Sequence, residues 1–147
     1  MQMPAPDPHV LSRRAAIAAR LRTAVPGAVI DDPAETRAYE CDALSAYRCP
    51  PLAVALPTTT EEVAAILQVC HAERVPVVPR GGGTSQCGQT VNRALVLDCT
   101  KHLRRVLAVD EAAGTAAFDA EGGGVARRSH RVAQVDGAGE LAAAGDL

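Results

Sequence analysis

Apolar positions in the first sixth of the chain recur at helical intervals. Leu11, Ala15, Ala18, Leu21 and Val25 fall at three- and four-residue steps, which predicts an amphipathic helix over 10–25, closed by Pro26 and Gly27. Residues 1–9 ahead of it, with Pro4, Pro6 and Pro8, read as a disordered lead. Val29 and Ile30 suit a short strand, and 33–39 a shorter helical piece. The run LAVAL at 52–56 is continuously apolar between prolines, as a strand buried on both faces would be. Thr59 offers a hydroxyl N-cap with Glu62 three residues on, a capping box, and Val63, Ile66, Leu67 and Cys70 follow on one helical face. VPVV at 75–78 and ALVLD at 94–98 predict two further buried strands. Residues 103–110, a turn at 110–114 and 115–118 predict a hairpin.

Strand, helix, strand, loop and strand in that order indicate an α/β or α+β domain with crossover connections. Beyond Phe118 the pattern stops. Val125, Val132, Val135 and Leu141 are too sparse for a strand, and a weak helix over 125–135 would follow the costly triplet Gly122, Gly123 and Gly124.

Composition narrows the function. The 147 residues are enough for one core, built from Ala, Val, Leu and Ile because Tyr39, Tyr47 and Phe118 are the only aromatics. A net charge of −2 provides no basic surface for a nucleic-acid backbone. Five cysteines without a C-x-x-C spacing signal neither a disulfide framework nor a metal site, and fit reduced thiols in the cytoplasm. No apolar run is long enough to span a bilayer. Ser12, Arg13 and Arg14 before AAIAA hint at a twin-arginine leader, but Arg20 and Arg22 interrupt the apolar stretch it would need.

One stretch, VVPRGGGTSQCGQTVN at 77–92, invites a chemical reading. Where a strand runs into consecutive glycines, backbone N–H groups can turn together toward an anion, and the hydroxyls of Thr84 and Ser85 can add donors. A flexible turn is the plainer alternative. The phosphate loop with G-K-[ST] is excluded by Gln89 and Thr90, and the G-x-G-x-x-G fingerprint by Gln86. Other candidates read plainly: His9, His71, His102 and His130 have no ligand spacing, Cys87 is a small loop residue, Asp42 and Asp98 are capping or turn residues, and Lys101, Arg104 and Arg105 form a solvated face.

YECDALSAYR at 39–48, the LP and TTEEV of 56–63, VVPRGGGTSQCGQTVN and VLDCTKHLRRVLAVD at 96–110 together resemble the start of the FAD-binding domain of FAD-linked oxidases. The type is that of vanillyl-alcohol oxidase or p-cresol methylhydroxylase (PCMH), in the branch of glycolate oxidase FAD subunits and D-lactate or D-2-hydroxyglutarate dehydrogenases. The resemblance covers about residues 30 to 117. It implies an α+β fold, the first subdomain of a PCMH-type FAD-binding domain, with a small mixed sheet and flanking helices, incomplete. The domain layout expected is an N-terminal lead and helix at 1–28, a partial FAD-binding domain at 29–117 and an atypical tail at 118–147.

The resemblance also implies a site. Pro79, Arg80, Gly81, Gly82, Gly83, Thr84 and Ser85 would wrap the FAD pyrophosphate, Gly88 and Gln89 would close the pocket wall, and Pro57 would lie near the adenine end. Thr84 stands where some members carry a flavin-linked histidine, which implies non-covalent FAD. The implied activity is oxidation of a 2-hydroxy acid, with FAD as hydride acceptor and an iron–sulfur subunit or domain as a further partner. Catalytic and metal-binding residues are expected in this chain at no position, since the family keeps its substrate groups in later segments. The family pattern would continue after 116 with a strand and a V-x-P-G turn; the Ala/Gly/Arg tail instead suggests a shifted reading frame or a variant end. The expected function is therefore an FAD-binding segment that is truncated and not catalytic alone. The alternatives are a non-catalytic phosphate- or nucleotide-binding module and a non-functional remnant. The strands at 52–56, 75–78 and 94–98 are expected to lack part of their cover.

Overall fold

The computed structural model describes residues 7–43, 46–110, 112, 115–119 and 130–131. Two sheets organise it. The first has four strands in the order β1 (Val29–Ile30), β2 (Ala53–Ala55), β4 (Leu95–Asp98) and β3 (Val77–Arg80). Strand β1 runs antiparallel to β2, whereas β2 and β3 both run parallel to the central β4, with Ala53 and Val77 on either side of Leu95. The second sheet is antiparallel, in the order β5 (Val106–Asp110), β6 (Thr115–Phe118) and β7 (His130–Arg131).

Pleating of the first sheet splits its apolar residues between two cores. Ala53, Ala55, Leu95 and Leu97 meet Ile17 and Leu21 of helix α2 (Arg14–Ala24) and Val63, Ile66 and Cys70 of helix α4 (Thr60–Glu73). Val54, Leu56 and Val96 face the other way, against Ile30 and Tyr39. The expectation that these strands would be left uncovered is therefore overturned for β2 and β4: every residue of 52–56 and 94–98 is buried. Among the described residues the exposed large apolar side chains are Val106, Leu107 and Val109 of β5, 57–58% accessible, and Leu67 of α4, which the pattern had set on the buried face.

The single N-terminal helix predicted over 10–25 is two. Helix α1 (Pro8–Ser12) is capped by Asp7, and the chain turns at Arg13, whose N–H bonds Val10 O three residues back, before α2 begins. Pro8 and His9 thus belong to a helix rather than to a lead. Val10, Ile17, Ala18, Leu21 and Val25 form the buried stripe, while Ala15 faces outward. Arg13 and Arg20 both pair with Glu73 at the end of α4, and Arg14 donates to Leu52 O at 2.8 Å and Asp31 O at 2.7 Å. The two arginines that suggested a leader therefore tie α2 to the fold.

The strand predicted at 75–78 begins two residues later because the N–H of Val75 still closes the end of α4 on Cys70 O at 2.8 Å. Strand β3 lies at a sheet edge, which accommodates Pro79 without a broken ladder. Helix α3 (Pro33–Thr36) and a 3₁₀ turn (Arg37–Tyr39) fill the predicted helical piece, and the predicted hairpin is β5–β6. Where a weak helix was expected over 125–135, His130 and Arg131 form a strand; the rest of that segment lies outside the described residues. Among the described residues no helix is long and apolar enough to cross a membrane, and none of the five cysteines is in a disulfide.

The cap of α4 differs from the ideal box by one residue. Thr59 Oγ1 accepts from the N–H of Glu62 at 3.2 Å, but the Glu62 carboxylate reaches past Thr59 to the backbone N–H (2.6 Å) and hydroxyl (2.9 Å) of Thr58. Those Thr58 bonds, the backbone one foremost, hold the Glu62 carboxyl below its ordinary 4.5. A depressed folded-state value stabilises the fold above the unfolded value and loses that contribution as pH falls through the folded one. Urea unfolding should therefore show Thr59→Ala less stable by about 1 kcal/mol. Glu62→Gln should be less stable than the parent near neutral pH, by a margin that shrinks as pH falls below 4.5; an undiminished difference at low pH would refute the cap.

Candidate flavin-phosphate site

The parallel strands β2, β4 and β3 end at one edge of the sheet, so the segments leaving them gather there: Pro57 after β2, Thr100 after β4 and the glycine loop after β3. In open α/β sheets, ligands sit outside the carboxyl ends of parallel strands. The connection from β3 to its parallel neighbour β4 contains no helix. Residues 81–94 alone make the crossover, anchored near its end by the buried Val91.

Two side chains of opposite charge hold this loop. Arg80 donates from Nη1 to Cys41 O at 3.0 Å and lies over the Tyr39 ring, 5.3 Å from its centroid. Its guanidinium also lies close to Gly83, where a Cβ would stand 2.4 Å from Nη2, and Gly83 has φ +68 besides. Asp42, almost fully buried, accepts at Oδ2 from the Ser85 hydroxyl at 2.7 Å and the Gly88 N–H at 3.0 Å. The N–H of Ala43 adds a bond to Gly83 O at 2.9 Å. The Ser85 hydroxyl also touches the Gln89 side-chain amide. Since the single Ser85 proton goes to the carboxylate, we assign the Gln89 amide with its NH₂ toward Ser85.

Beneath the loop, Tyr39 donates to Asp98 Oδ2 at 3.0 Å, and Asp98 Oδ1 takes the N–H (2.9 Å) and hydroxyl (2.6 Å) of Thr100. Burial first, then the Asp98 charge and hydrogen bond, push the Tyr39 phenol up to about 12 against the opposing pull of Arg80.

The backbone N–H groups of Gly81, Gly82, Gly83, Thr84 and Ser85 donate to no acceptor among the described residues, and neither does the Thr84 hydroxyl. Thr90 Oγ1, within the same crossover, is buried and has no partner among the described residues. A run of donors left open beside glycines is a donor set suited to a phosphate or pyrophosphate. These residues fit the phosphate end of FAD.

The structure thus brings Arg80, Gly81, Gly82, Gly83, Thr84, Ser85, Gly88 and Gln89 together and sets Pro57, fully buried, at the same sheet edge but with β4 between. Pro79 is exposed on β3. Sequence reasoning missed Asp42, Tyr39 and Asp98 as supports of the loop, and Thr90 as an open hydroxyl within it; the first three lie 38, 41 and 18 residues from Arg80, and only the fold joins them. A cleft of about 420 Å³ lined in part by Arg14, Thr36, Arg37, Glu40, Pro51 and Arg93 contains no residue of 77–92. No group of three or more metal-ligating side chains occurs among the described residues.

A family model described as an FAD binding domain matches residues 51–137. The chain belongs to that family. It is 51% identical over 76 residues to the glycolate oxidase subunit GlcD of Escherichia coli (strain K12), an alignment covering 51% of this chain and 15% of GlcD. It is 34% identical over 73 residues to the D-2-hydroxyglutarate dehydrogenase of the same organism, covering 48% of this chain and 7% of that protein. The fold matches that of 4-ethylphenol oxidase from Gulosibacter chungangensis with a TM-score of 0.63 at 21% identity, over 78% of this chain and 23% of the oxidase. The architecture is that of part of a PCMH-type FAD-binding domain, α+β with a small mixed sheet and helices, and FAD is the cofactor of the family.

Two tests follow from the packing below the loop. In a Tyr47→Phe background, ultraviolet titration of the phenolate should place Tyr39 near 12, and stability should fall as pH rises from 10 toward that value, because a raised folded-state value protects only below it; ionisation at 10 would contradict the half-buried Tyr39–Asp98 pair. Gly83→Ala should cost at least about 1–2 kcal/mol from its left-handed backbone, and less in an Arg80→Ala background than alone.

Proposed function

We propose that this chain supplies the phosphate-binding part of the FAD site of a flavin-dependent 2-hydroxy-acid oxidoreductase and is not catalytic alone. The observation that carries the reading is the set of five consecutive N–H groups at the carboxyl edge of the parallel sheet that have no acceptor among the described residues. The substrate class is taken from the relatives, whose names specify glycolate and D-2-hydroxyglutarate, both 2-hydroxy acids.

In this reading the N–H groups of Gly81, Gly82, Gly83, Thr84 and Ser85 and the Thr84 hydroxyl hold the pyrophosphate. Gly88 and Gln89 form the wall beside it, Pro79 and Arg80 set the start of the loop, and Pro57 borders the adenine end. Arg80 acts from beneath, since its guanidinium is committed to Cys41 O and the Tyr39 ring. Ser85 contributes its N–H rather than its hydroxyl, which is turned to Asp42. With Thr84 at the position of the flavin-linked histidine, FAD is held without a covalent bond. Bound FAD supplies the hydride acceptor; the groups that bind the substrate carboxylate and take the hydroxyl proton come from segments outside those described.

The aligned span is 15% of GlcD, so the substrate domain and an iron–sulfur partner belong to this proposal and not to the chain's described residues. Absence of disulfides among the five cysteines supports a reducing, cytoplasmic setting. The tail after 116 is read as the product of a shifted frame, against which stands the family match running on to residue 137; translating the gene's other two frames there should restore a strand and V-x-P-G turn, and if neither does, the tail is a variant end in the same frame.

Flavin content and ligand-induced thermal shifts test the cofactor assignment. The purified chain should carry well under one flavin, and FAD and ADP should each raise its Tm, by up to about 2.7 kcal/mol of stability at a hundredfold excess over Kd, whereas riboflavin should not. Stoichiometric flavin on purification would refute the partial site. A response to riboflavin equal to that of FAD, or none to either FAD or ADP, would refute the phosphate cradle.

A further inference from the structure

We propose that Asp42 is the positioning residue of the glycine loop: its carboxylate fixes the loop from beneath and leaves the N–H groups of Gly81, Gly82, Gly83, Thr84 and Ser85 open to the ligand. That the ligand is the flavin phosphate rests on the reading above; that Asp42 orders the loop rests on the hydrogen bonds alone.

Asp42 is 7% exposed and belongs to a short segment laced to the loop at four points. Cys41 O accepts from Arg80, Ala43 N–H donates to Gly83 O, and Asp42 Oδ2 accepts from both Ser85 and Gly88. The Asp42 bonds join two points three residues apart on the loop, one on the side chain of Ser85 and one on the backbone of Gly88. Gly88 has φ +74, so the carboxylate also holds a turn that L-residues rarely adopt.

The sign of the charge excludes one simple role. A buried carboxylate beneath an anion cradle repels the anion, so electrostatic attraction cannot be what Asp42 contributes. Its value is as an acceptor on a short stem. Both of these loop bonds go to the same oxygen, which an asparagine carbonyl can reproduce with its two lone pairs. Asp42→Asn should therefore keep the loop in place and remove the repulsion, whereas Asp42→Ala removes the acceptor and leaves the Gly88 N–H and the Ser85 hydroxyl without it.

Native-state amide exchange of the 147-residue chain, read by NMR, tests this without any ligand. In Asp42→Ala the Gly88 amide should exchange roughly tenfold faster or more, as loss of a bond to a charged acceptor implies, while Val54 and Val96 in the sheet keep their protection. In Asp42→Asn the Gly88 rate should stay near that of the parent. FAD Kd measured on the same folded proteins should rise about tenfold in Asp42→Ala and stay equal or fall in Asp42→Asn. An unchanged Gly88 rate in Asp42→Ala, or equal acceleration in both variants, would overturn the proposal. So would a lowered Tm in both variants with FAD Kd unchanged, the pattern of a residue that only stabilises the fold. If the exchange pattern holds but the parent binds no FAD, Asp42 remains the loop's positioning residue and the flavin reading falls.

Discussion

The guanidinium of Arg80 occupies the space that any side chain at position 83 would need. This contact sets the order of dependence at the site. Arg80 is placed by the last residue pair of the β3–β4 ladder, opposite Asp98, and its group is held between the Tyr39 ring and Cys41 O. Gly83 must then be glycine for two reasons, the occupied volume and its left-handed backbone. The glycine triplet is consequently more than an absence of side chains facing a ligand; at Gly83 the crowding comes from the protein itself. Asp42 acts from the same segment on the far half of the loop, so the 41–43 stretch, distant in sequence, shapes the loop at both ends.

Topology adds a second demand on the same residues. Because β3 and β4 are parallel neighbours, the chain must return the length of the sheet between them, and it does so with residues 81–94 in place of a helix. A loop that must both return the chain and leave a run of N–H groups open cannot satisfy those groups internally. Their lack of acceptors among the described residues is thus coupled to the fold, and under the proposed reading the phosphates of FAD are a ligand of matching charge.

Much of the first sheet was legible from local pattern. LAVAL and ALVLD read as strands buried on both faces, and the structure buries them so, with the alternation dividing Ala53 and Ala55 from Val54 and Leu56. The hydroxyl cap of α4 was legible because a cap is a four-residue signal; that Glu62 would choose Thr58 over Thr59 was not, since both donors are within reach of one carboxylate. The break at Arg13 and the late start of β3 escaped because each depends on a hydrogen bond that periodicity does not register. At the site, the loop itself was visible in its glycines, but Asp42 and Tyr39 read only as a turn residue and an aromatic. Their roles arise from contacts across some forty residues of sequence, which only the packed sheet creates. The missing cover expected on the strands at 52–56 and 94–98 was not found, because helices α2 and α4 pack on one face of them and Ile30 and Tyr39 on the other; the exposed apolar residues are those of β5 instead.

The most direct measurement is an amide chemical-shift map of the chain titrated with inorganic pyrophosphate and with ADP. The account predicts that both ligands move the amides of Gly81, Gly82, Gly83, Thr84 and Ser85 most, with Val54 and Val96 nearly still. Largest shifts at Arg37 and Arg93, around the cleft away from the loop, or no saturable shifts in the loop, would contradict it.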